Sequence, residues 1–131
     1  MYLPISLAAA GAAALINIWL SIRIGAVRTA KKVSVGDGGD EHLIRRMRAQ
    51  ANFIENAPIV LILITVIEAA RPTNMALAIV AGLFILARVA HGLGMDGGAF
   101  KAGRMVGTLI TMLTLLGLGV WAIAIAIAFI K

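Results

Sequence analysis

Long apolar runs without charged side chains are the feature that most constrains this chain. The run over residues 105–130 carries no charge and exceeds the roughly 20 residues that a helix needs to cross a bilayer. Residues 2–27 form a second long apolar run, whose one charged residue, Arg23, lies near its end and can extend to the membrane surface. Inside lipid a spanning segment must satisfy its own backbone hydrogen bonds. We therefore predict an all-α integral membrane protein.

Two shorter hydrophobic segments occupy the middle of the chain, centred on residues 57–67 and 75–89. Only 12 uncharged residues separate Glu55 from Glu68, so the second helix is expected to continue back through the charged stretch before it. Polar segments at 29–41, 70–74 and 94–103 separate the four spans. The sequence thus predicts one domain over residues 1–131, folded as an antiparallel four-helix bundle.

Basic residues gather beside the first and third loops. The chain has 12 Lys and Arg against 6 Asp and Glu, a net charge of +6. Because these residues flank hydrophobic runs, we attribute them to membrane topology and expect no nucleic-acid partner. The positive-inside rule then places the first and third loops in the cytoplasm. The absence of cysteine excludes disulfides and thiolate sites, and two isolated histidines predict no metal site.

Small residues mark helix contacts in membranes. They occur at 8–14 in the first span and at Gly103, Gly107, Gly117 and Gly119 in the fourth. We expect these two helices to approach closely, in a bundle of the kind that often oligomerises.

The charged stretch ahead of the second apolar segment forms a stripe. At 100° per residue, four side chains fall within an arc of roughly 80°: Arg45, Arg48, Asn52 and Glu55. Arg45 and Arg46 can instead belong to a solvated entry turn and extend to lipid phosphate, but this interpretation fits Asn52 and Glu55 poorly because they lie deeper. Buried polar groups of this kind usually face a bundle interior or a wet cavity. Pro58 follows directly and is expected to kink the helix.

A second polar face lies on the third span, where Arg88, His91 and Met95 are one helical turn apart. Together the polar positions predict a basic pocket near the cytoplasmic side: Arg28, Arg45, Arg48, Asn52, Glu55, Arg88 and Arg104. Such a pocket suits a multiply acidic, zwitterionic peptide held by charge-assisted hydrogen bonds. The remaining polar residues have simpler interpretations. Asp96 is interpreted as a loop acid and His42 as a solvated loop residue, and Glu68 can pair with Arg71 on the opposite side of the membrane.

Three stretches of the sequence resemble the MAPEG family, the membrane-associated proteins of eicosanoid and glutathione metabolism. "RMRAQANFIENAP" carries the family's second-helix pattern in Arg48, Asn52, Glu55 and Pro58, and Gln50 matches some members. "ARVAHGLGM" is similar to the third helix of prostaglandin E synthase-like members, and "VGDGGD" resembles small bacterial members. The resemblance covers nearly the whole chain.

This resemblance implies a homotrimer in the bacterial inner membrane that binds glutathione in clefts between neighbouring subunits. The resemblance implies that Arg48, Asn52 and Glu55 bind glutathione and that Arg88 and His91 line the same cleft, while Gln50 matches some members. With Arg28 and Arg45 of the basic pocket, the predicted glutathione-binding residues are Arg28, Arg45, Arg48, Gln50, Asn52, Glu55, Arg88 and His91. Arg104 matches the arginine proposed to stabilise the glutathione thiolate. Glutathione is then a co-substrate, with membrane lipid and a lipophilic small molecule as the other partners.

Two functions follow from the resemblance. The first is a membrane-bound glutathione transferase, or a glutathione peroxidase, acting on lipophilic electrophiles. The second is a non-catalytic protein that binds glutathione or lipid. Retention of Arg104 favours the enzyme, whereas Met95 and Asn56 stand where several catalytic members have tyrosine and favour the binding protein.

Overall fold

Four long helices make up the fold. The computed structural model describes residues 1–130, and Lys131, the last residue of the predicted domain, lies outside that range. The elements are α1 (Pro4–Lys31), α2 (Glu41–Ala70), α3 (Met75–Gly94), a short 3-10 turn (Gly98–Phe100) and α4 (Ala102–Ile130). Each long helix is apolar and long enough to cross a membrane, α4 together with the 3-10 turn. The prediction of an all-α, four-span integral membrane protein is confirmed.

Local sequence explains where the helices begin. Pro4 opens α1, where its missing N–H would be unsatisfied in any case. The Asp40 carboxylate accepts from the Leu43 N–H at 2.9 Å and caps α2. That hydrogen bond is the main cause that lowers the pKa of Asp40. Asn74 caps α3 in the same way, through the Leu77 N–H at 2.9 Å.

The second helix does extend through the charged stretch, as the spacing of Glu55 and Glu68 predicts. It begins at Glu41 and contains 30 residues, and it runs through Pro58 without interruption. Its buried side includes apolar residues spaced three or four apart: Ala49, Phe53, Ala57, Val60 and Ile64. The charged stretch is therefore the first half of a packed helix, with one side in the bundle and the other available for contacts outside it.

The closest helix approach joins α3 to α4 and depends on glycine. A Cβ on Gly107 would lie 2.5 Å from the Ala87 carbonyl oxygen, and one on Gly103 would lie 2.5 Å from the Ala90 carbonyl oxygen. The expected pairing of α1 with α4 is wrong. α4 packs on α3 and α2, whereas α1 packs on α2 and α3. Small residues permit a close approach without specifying which helix makes it.

One end of the bundle is held by Glu68, and we call it the Glu68 end. The Glu68 carboxylate accepts from the Ile5 N–H at 3.0 Å, the Ser6 N–H at 2.8 Å and the Ser6 hydroxyl at 2.6 Å. The predicted pairing of Glu68 with Arg71 is wrong. Arg71 instead lies over the ring of Phe129, 5.5 Å from its centroid. Glu68 thus satisfies the first N–H groups of α1, which Leu3 does not cap through its side chain.

The opposite end is held by a group that we call the Asp96 clasp: Arg23, His42, Arg46 and Asp96. The Asp96 carboxylate accepts from Arg23 and from Arg46, whose Nε and Nη2 lie at 3.2 and 3.1 Å. His42 Nε2 lies 3.5 Å from the same carboxylate, at the second position of α2. Asp96 is the loop acid that the sequence suggested, but it is paired with two arginines. His42 is exposed, as suggested, but it lies in α2 and not in the loop.

Arg23 and Arg46 keep the Asp96 carboxylate ionised. Burial acts to raise the pKa of Asp96, but the hydrogen bonds of Arg46 and the charge of Arg23 outweigh it and hold that pKa below its usual range. The clasp therefore stabilises the fold at any pH above the unfolded-state pKa. Its contribution is lost only as the pH falls through the lower folded-state pKa.

The clasp brings the first and third loops to the same end of the bundle, which allows a test of orientation. The chain has no cysteine, so single substitutions at exposed sites give unambiguous labels. We expect Ser34→Cys, in the first loop, to react with an impermeant thiol reagent only after cells are permeabilised, because positive-inside charge places that loop in the cytoplasm. Ala70→Cys, at the Glu68 end, should react in intact cells. The reverse pattern would invert the orientation.

Candidate functional site

The predicted stripe on α2 lies on the outward side of the helix. Arg45, Arg48 and Glu55 are exposed, and Asn52 is half-buried. Arg45 pairs with Glu41 one turn earlier, at 2.7 Å. Within residues 1–130, Arg48 and Glu55 have no hydrogen-bond or ion-pair partner. Ionisable side chains in a membrane-spanning helix are costly unless a polar or oppositely charged group pairs with them. This face of α2 is therefore suited to a polar ligand.

Arg88 lies behind the stripe, inside the bundle. It is 2 % exposed, and its guanidinium donates to Asn52 Oδ1 at 2.7 Å and to Thr111 Oγ1 at 3.0 Å. The predicted neighbour His91 is also buried, with its Nδ1 3.5 Å from Arg88 Nη2. Within the described residues no group of three or more His, Asp or Glu side chains forms a metal site around His91 or elsewhere. The network therefore joins α2, α3 and α4 through arginine.

Arg104 lies on a cleft at the Asp96 end, formed by α4 and the loop before it. The cleft has a volume of about 910 Å³. Three cations line it, Arg45, Lys101 and Arg104, and its other side is apolar, formed by residues that include Met95, Met105, Leu109 and Met112. Arg104 is exposed, and no carboxylate within residues 1–130 pairs with it. Such a cleft can hold an anionic group beside a lipophilic one.

Arg28 and Gln50 lie on a different face, between α1 and α2. They line a second cleft of about 490 Å³. Gln50 Nε2 donates to Ser21 Oγ at 2.7 Å and Asn17 Oδ1 at 3.2 Å, and Arg28 Nη1 donates to the Gly36 carbonyl oxygen at 2.7 Å. At 100° per residue, Gln50 points roughly 140° away from Glu55 on α2.

The predicted site residues are therefore divided among four places in the chain. Arg45 and Arg104 share the α4 cleft, Arg28 and Gln50 share the α1–α2 cleft, and the interior holds Arg88 and His91 with Asn52 at its edge. Arg48 and Glu55 lie on the exposed face of α2. No single pocket of one subunit contains the whole set. The angle of roughly 140° between Gln50 and Glu55 on α2 follows from their spacing in the sequence. It would have indicated that these two residues do not share a pocket within one subunit.

Sequence reasoning missed Thr111 and the Asp96 clasp. Thr111 donates to the Gly107 carbonyl oxygen of its own helix at 2.8 Å, which is how a threonine in an apolar span is ordinarily satisfied. Nothing in the sequence indicates that it also accepts from Arg88. The clasp places the loop that carries Gly97 and Lys101, both of which line the α4 cleft, and so it belongs to the framework of the site.

Comparison with known proteins agrees with this architecture. A search of curated proteins gives no match. The model of the MAPEG family matches residues 6–124, a range that contains every residue of the two clefts and of the interior network. Because the match covers nearly the whole chain and the fold is a bundle of four membrane-spanning helices, the chain belongs to the MAPEG family.

Proposed function

We propose that this protein is a membrane-bound glutathione transferase that works as a homotrimer. Membership of a family associated with glutathione gives the coarse function. The observation that carries the finer proposal is that polar residues of the set lie on two separate faces of one subunit. Arg28 and Gln50 lie on the α1–α2 face, and Arg48, Asn52 and Glu55 lie on the outward side of α2. Each face offers part of a site for a peptide with two carboxylates and an ammonium group, and neither is complete.

The two faces complement each other in a ring of identical subunits. When one patch of a subunit binds a different patch of the next, the contact is heterologous, and it forms a ring when the rotation between neighbours closes. Arg28 and Gln50 of one subunit would then lie across from Arg48, Asn52 and Glu55 of its neighbour. Such a contact also covers the unpaired charges on α2, which are costly when they face lipid. The number three comes from the family resemblance.

The donor set fits glutathione. Arginine and amide groups would hold its carboxylates, and Glu55 would accept from its ammonium group. Bound glutathione would supply the sulfur nucleophile that this cysteine-free chain lacks. Arg104 would favour loss of the thiol proton, since a nearby cation lowers a thiol pKa. The apolar side of the α4 cleft would admit a lipophilic electrophile from the bilayer, where a carbon–sulfur bond forms as the bond to the leaving group breaks.

The second candidate function is glutathione or lipid binding without catalysis. It is favoured by Met95 and Asn56, neither of which has the hydroxyl of the tyrosines found in several catalytic relatives. Asn56 donates its amide to the Asn52 carbonyl oxygen at 2.8 Å, which is a structural use of that side chain. A glutathione peroxidase would use the same thiolate and differ in its acceptor.

Thiolate formation tests the transferase proposal. Ultraviolet absorbance of the purified trimer with bound glutathione should show thiolate near neutral pH, together with conjugation of a generic aryl halide. Arg104→Ala should leave most of the glutathione binding intact but raise the thiol pKa by about 1 to 2 units, roughly 1.4 kcal/mol per unit. The conjugation rate at neutral pH should fall with the thiolate fraction, by less than tenfold for the first unit and approaching about tenfold per unit once the thiol pKa lies well above 7.

Lys101→Ala is the matched control, because it removes another cation that lines the same cleft. It should shift the thiol pKa much less than Arg104→Ala does. A wild-type protein that binds glutathione but forms no thiolate near neutral pH would favour the binding protein. Equal thiolate formation in Arg104→Ala would remove Arg104 from its role and make Arg88 the next cation to test.

A further inference from the structure

Arg88 is a buried cation without an acidic partner in the part of the chain that the structure describes. It is 2 % exposed, and its Nε has no hydrogen-bond partner among residues 1–130. Its other nitrogens reach Asn52 Oδ1 at 2.7 Å, Thr111 Oγ1 at 3.0 Å and, at a longer 3.5 Å, His91 Nδ1. A buried charge without a counter-charge is destabilising. A requirement other than stability therefore explains why none of these positions is acidic.

The chemistry of the guanidinium sets the direction of each hydrogen bond. Arginine only donates, so every partner of Arg88 must accept. At Asn52 the amide oxygen faces Arg88, and the amide NH2 is left without a protein partner among residues 1–130. At Thr111 the hydroxyl oxygen accepts from Arg88, and its proton goes to the Gly107 carbonyl oxygen. Arg88 thus determines which atoms Asn52 presents on its exposed side.

We infer that Arg88 is a positioning residue that makes Asn52 a hydrogen-bond donor toward the ligand. The inference rests on the proposed function. It states which ligand atoms, hydrogen-bond donors or acceptors, each side chain of the stripe would bind. The Asn52 NH2 and the Arg48 guanidinium receive acceptor oxygens, such as those of a carboxylate or a peptide carbonyl. Glu55 only accepts when ionised, so it receives an ammonium group or an amide N–H.

Position 52 therefore meets two opposing requirements. An aspartate there would give Arg88 the counter-charge that it lacks, and the fold would be more stable. The second carboxylate oxygen of that aspartate would face the ligand with negative charge in place of the NH2 donor. Asparagine serves the ligand and leaves Arg88 unpaired, so stability and binding should change in opposite directions when Asn52 is replaced.

The substitution Asn52→Asp tests this directly. Without glutathione, its Tm in detergent should rise by a few degrees, because the buried guanidinium gains a carboxylate partner. Its glutathione affinity, measured by calorimetry, should fall at least about tenfold, because a donor is replaced by a like charge. A residue with a merely structural role would move both readouts in the same direction.

Asn56→Asp is the matched control, since Asn56 lies one turn later on α2 and bonds the Asn52 carbonyl oxygen instead of Arg88. Its Tm should not rise. Asn52→Ala should lower both the Tm and the affinity, because it removes the acceptor and the donor together.

Two results would overturn the inference alone: an Asn52→Asp protein no more stable than wild type, or unchanged affinity in Asn52→Asp when wild type binds glutathione. A wild type that does not bind glutathione would instead overturn the proposed function, and this inference with it.

Discussion

Replacing Gly94 with alanine is expected to destabilise the protein by about 3 kcal/mol and to disturb the α4 cleft. A Cβ at Gly94 would lie 2.1 Å from the backbone nitrogen of Arg104 and 2.7 Å from the carbonyl carbon of Gly103. Both atoms belong to backbone, so no side-chain rotation can relieve the overlap. The start of α4 must move away from α3, and Arg104 moves with it. Thermal unfolding in detergent and the thiol pKa of bound glutathione measure the two effects.

The controls for Gly94→Ala lie further along the same bundle. Apart from their chain neighbours and the nearby backbone of α4, Gly117 and Gly119 have no atom within 4 Å of the position that a Cβ would take. Gly117→Ala and Gly119→Ala should therefore be neutral, or stabilising by up to about 1 kcal/mol, because alanine favours helix over glycine. A Gly94→Ala protein as stable as these two would show that α3 and α4 are not as close as the structure has them.

Replacing Glu68 with alanine should be nearly as costly, at the other end of the bundle. Glu68 is 4 % exposed. Its carboxylate accepts four hydrogen bonds: one each from the Ile5 and Ser6 N–H groups, one from the Ser6 hydroxyl and one from the Thr73 hydroxyl. Its loss leaves helix-end N–H groups without a partner where water is scarce. We expect a loss of about 3 kcal/mol, measured by thermal unfolding.

Hydrogen exchange at the start of α1 distinguishes this role from general packing. The amides of Ile5 and Ser6 should lose protection in Glu68→Ala, while the core of α2 keeps its own. Ser6→Ala removes only the hydroxyl and should cost about 1 kcal/mol. Equal costs for Ser6→Ala and Glu68→Ala would mean that the carboxylate does not cap the helix.

The number and placement of the spans could be predicted from the sequence because hydropathy and length are local properties. The extension of α2 through its charged half followed from the distance between Glu55 and Glu68. The partners of the isolated acids could not be predicted in the same way. Asp96 meets Arg23 across 73 residues, and Glu68 meets Ser6 across 62. Those contacts depend on which helix ends come together, and charge patterning within one loop does not contain that information.

The residue types of the candidate site were predictable, but their arrangement was not. Polar side chains are rare enough in membrane helices that Asn52, Glu55, Arg88 and Arg104 were evident from the sequence. The sequence grouped them into one basic pocket by charge and depth alone, which does not say on which face of the bundle each side chain lies. The structure separates the predicted site residues. On α2, for example, Gln50 and Glu55 point in different directions. Which of these faces meets another subunit is a property of the assembly and stays a prediction.

The division of the polar residues over two faces has a consequence for inheritance. In the proposed ring, every cleft is formed by residues of two neighbouring subunits. When normal and defective copies are made in the same cell, a defect confined to one face, such as Arg28→Ala, removes clefts in simple proportion to its share of the subunits. A subunit that is defective on both faces inactivates the two clefts to which it contributes. A cleft is then intact only when both of its subunits are normal, so the fraction of intact clefts equals the square of the fraction of normal subunits. Such an allele would act as partly dominant, although each damaged subunit still folds.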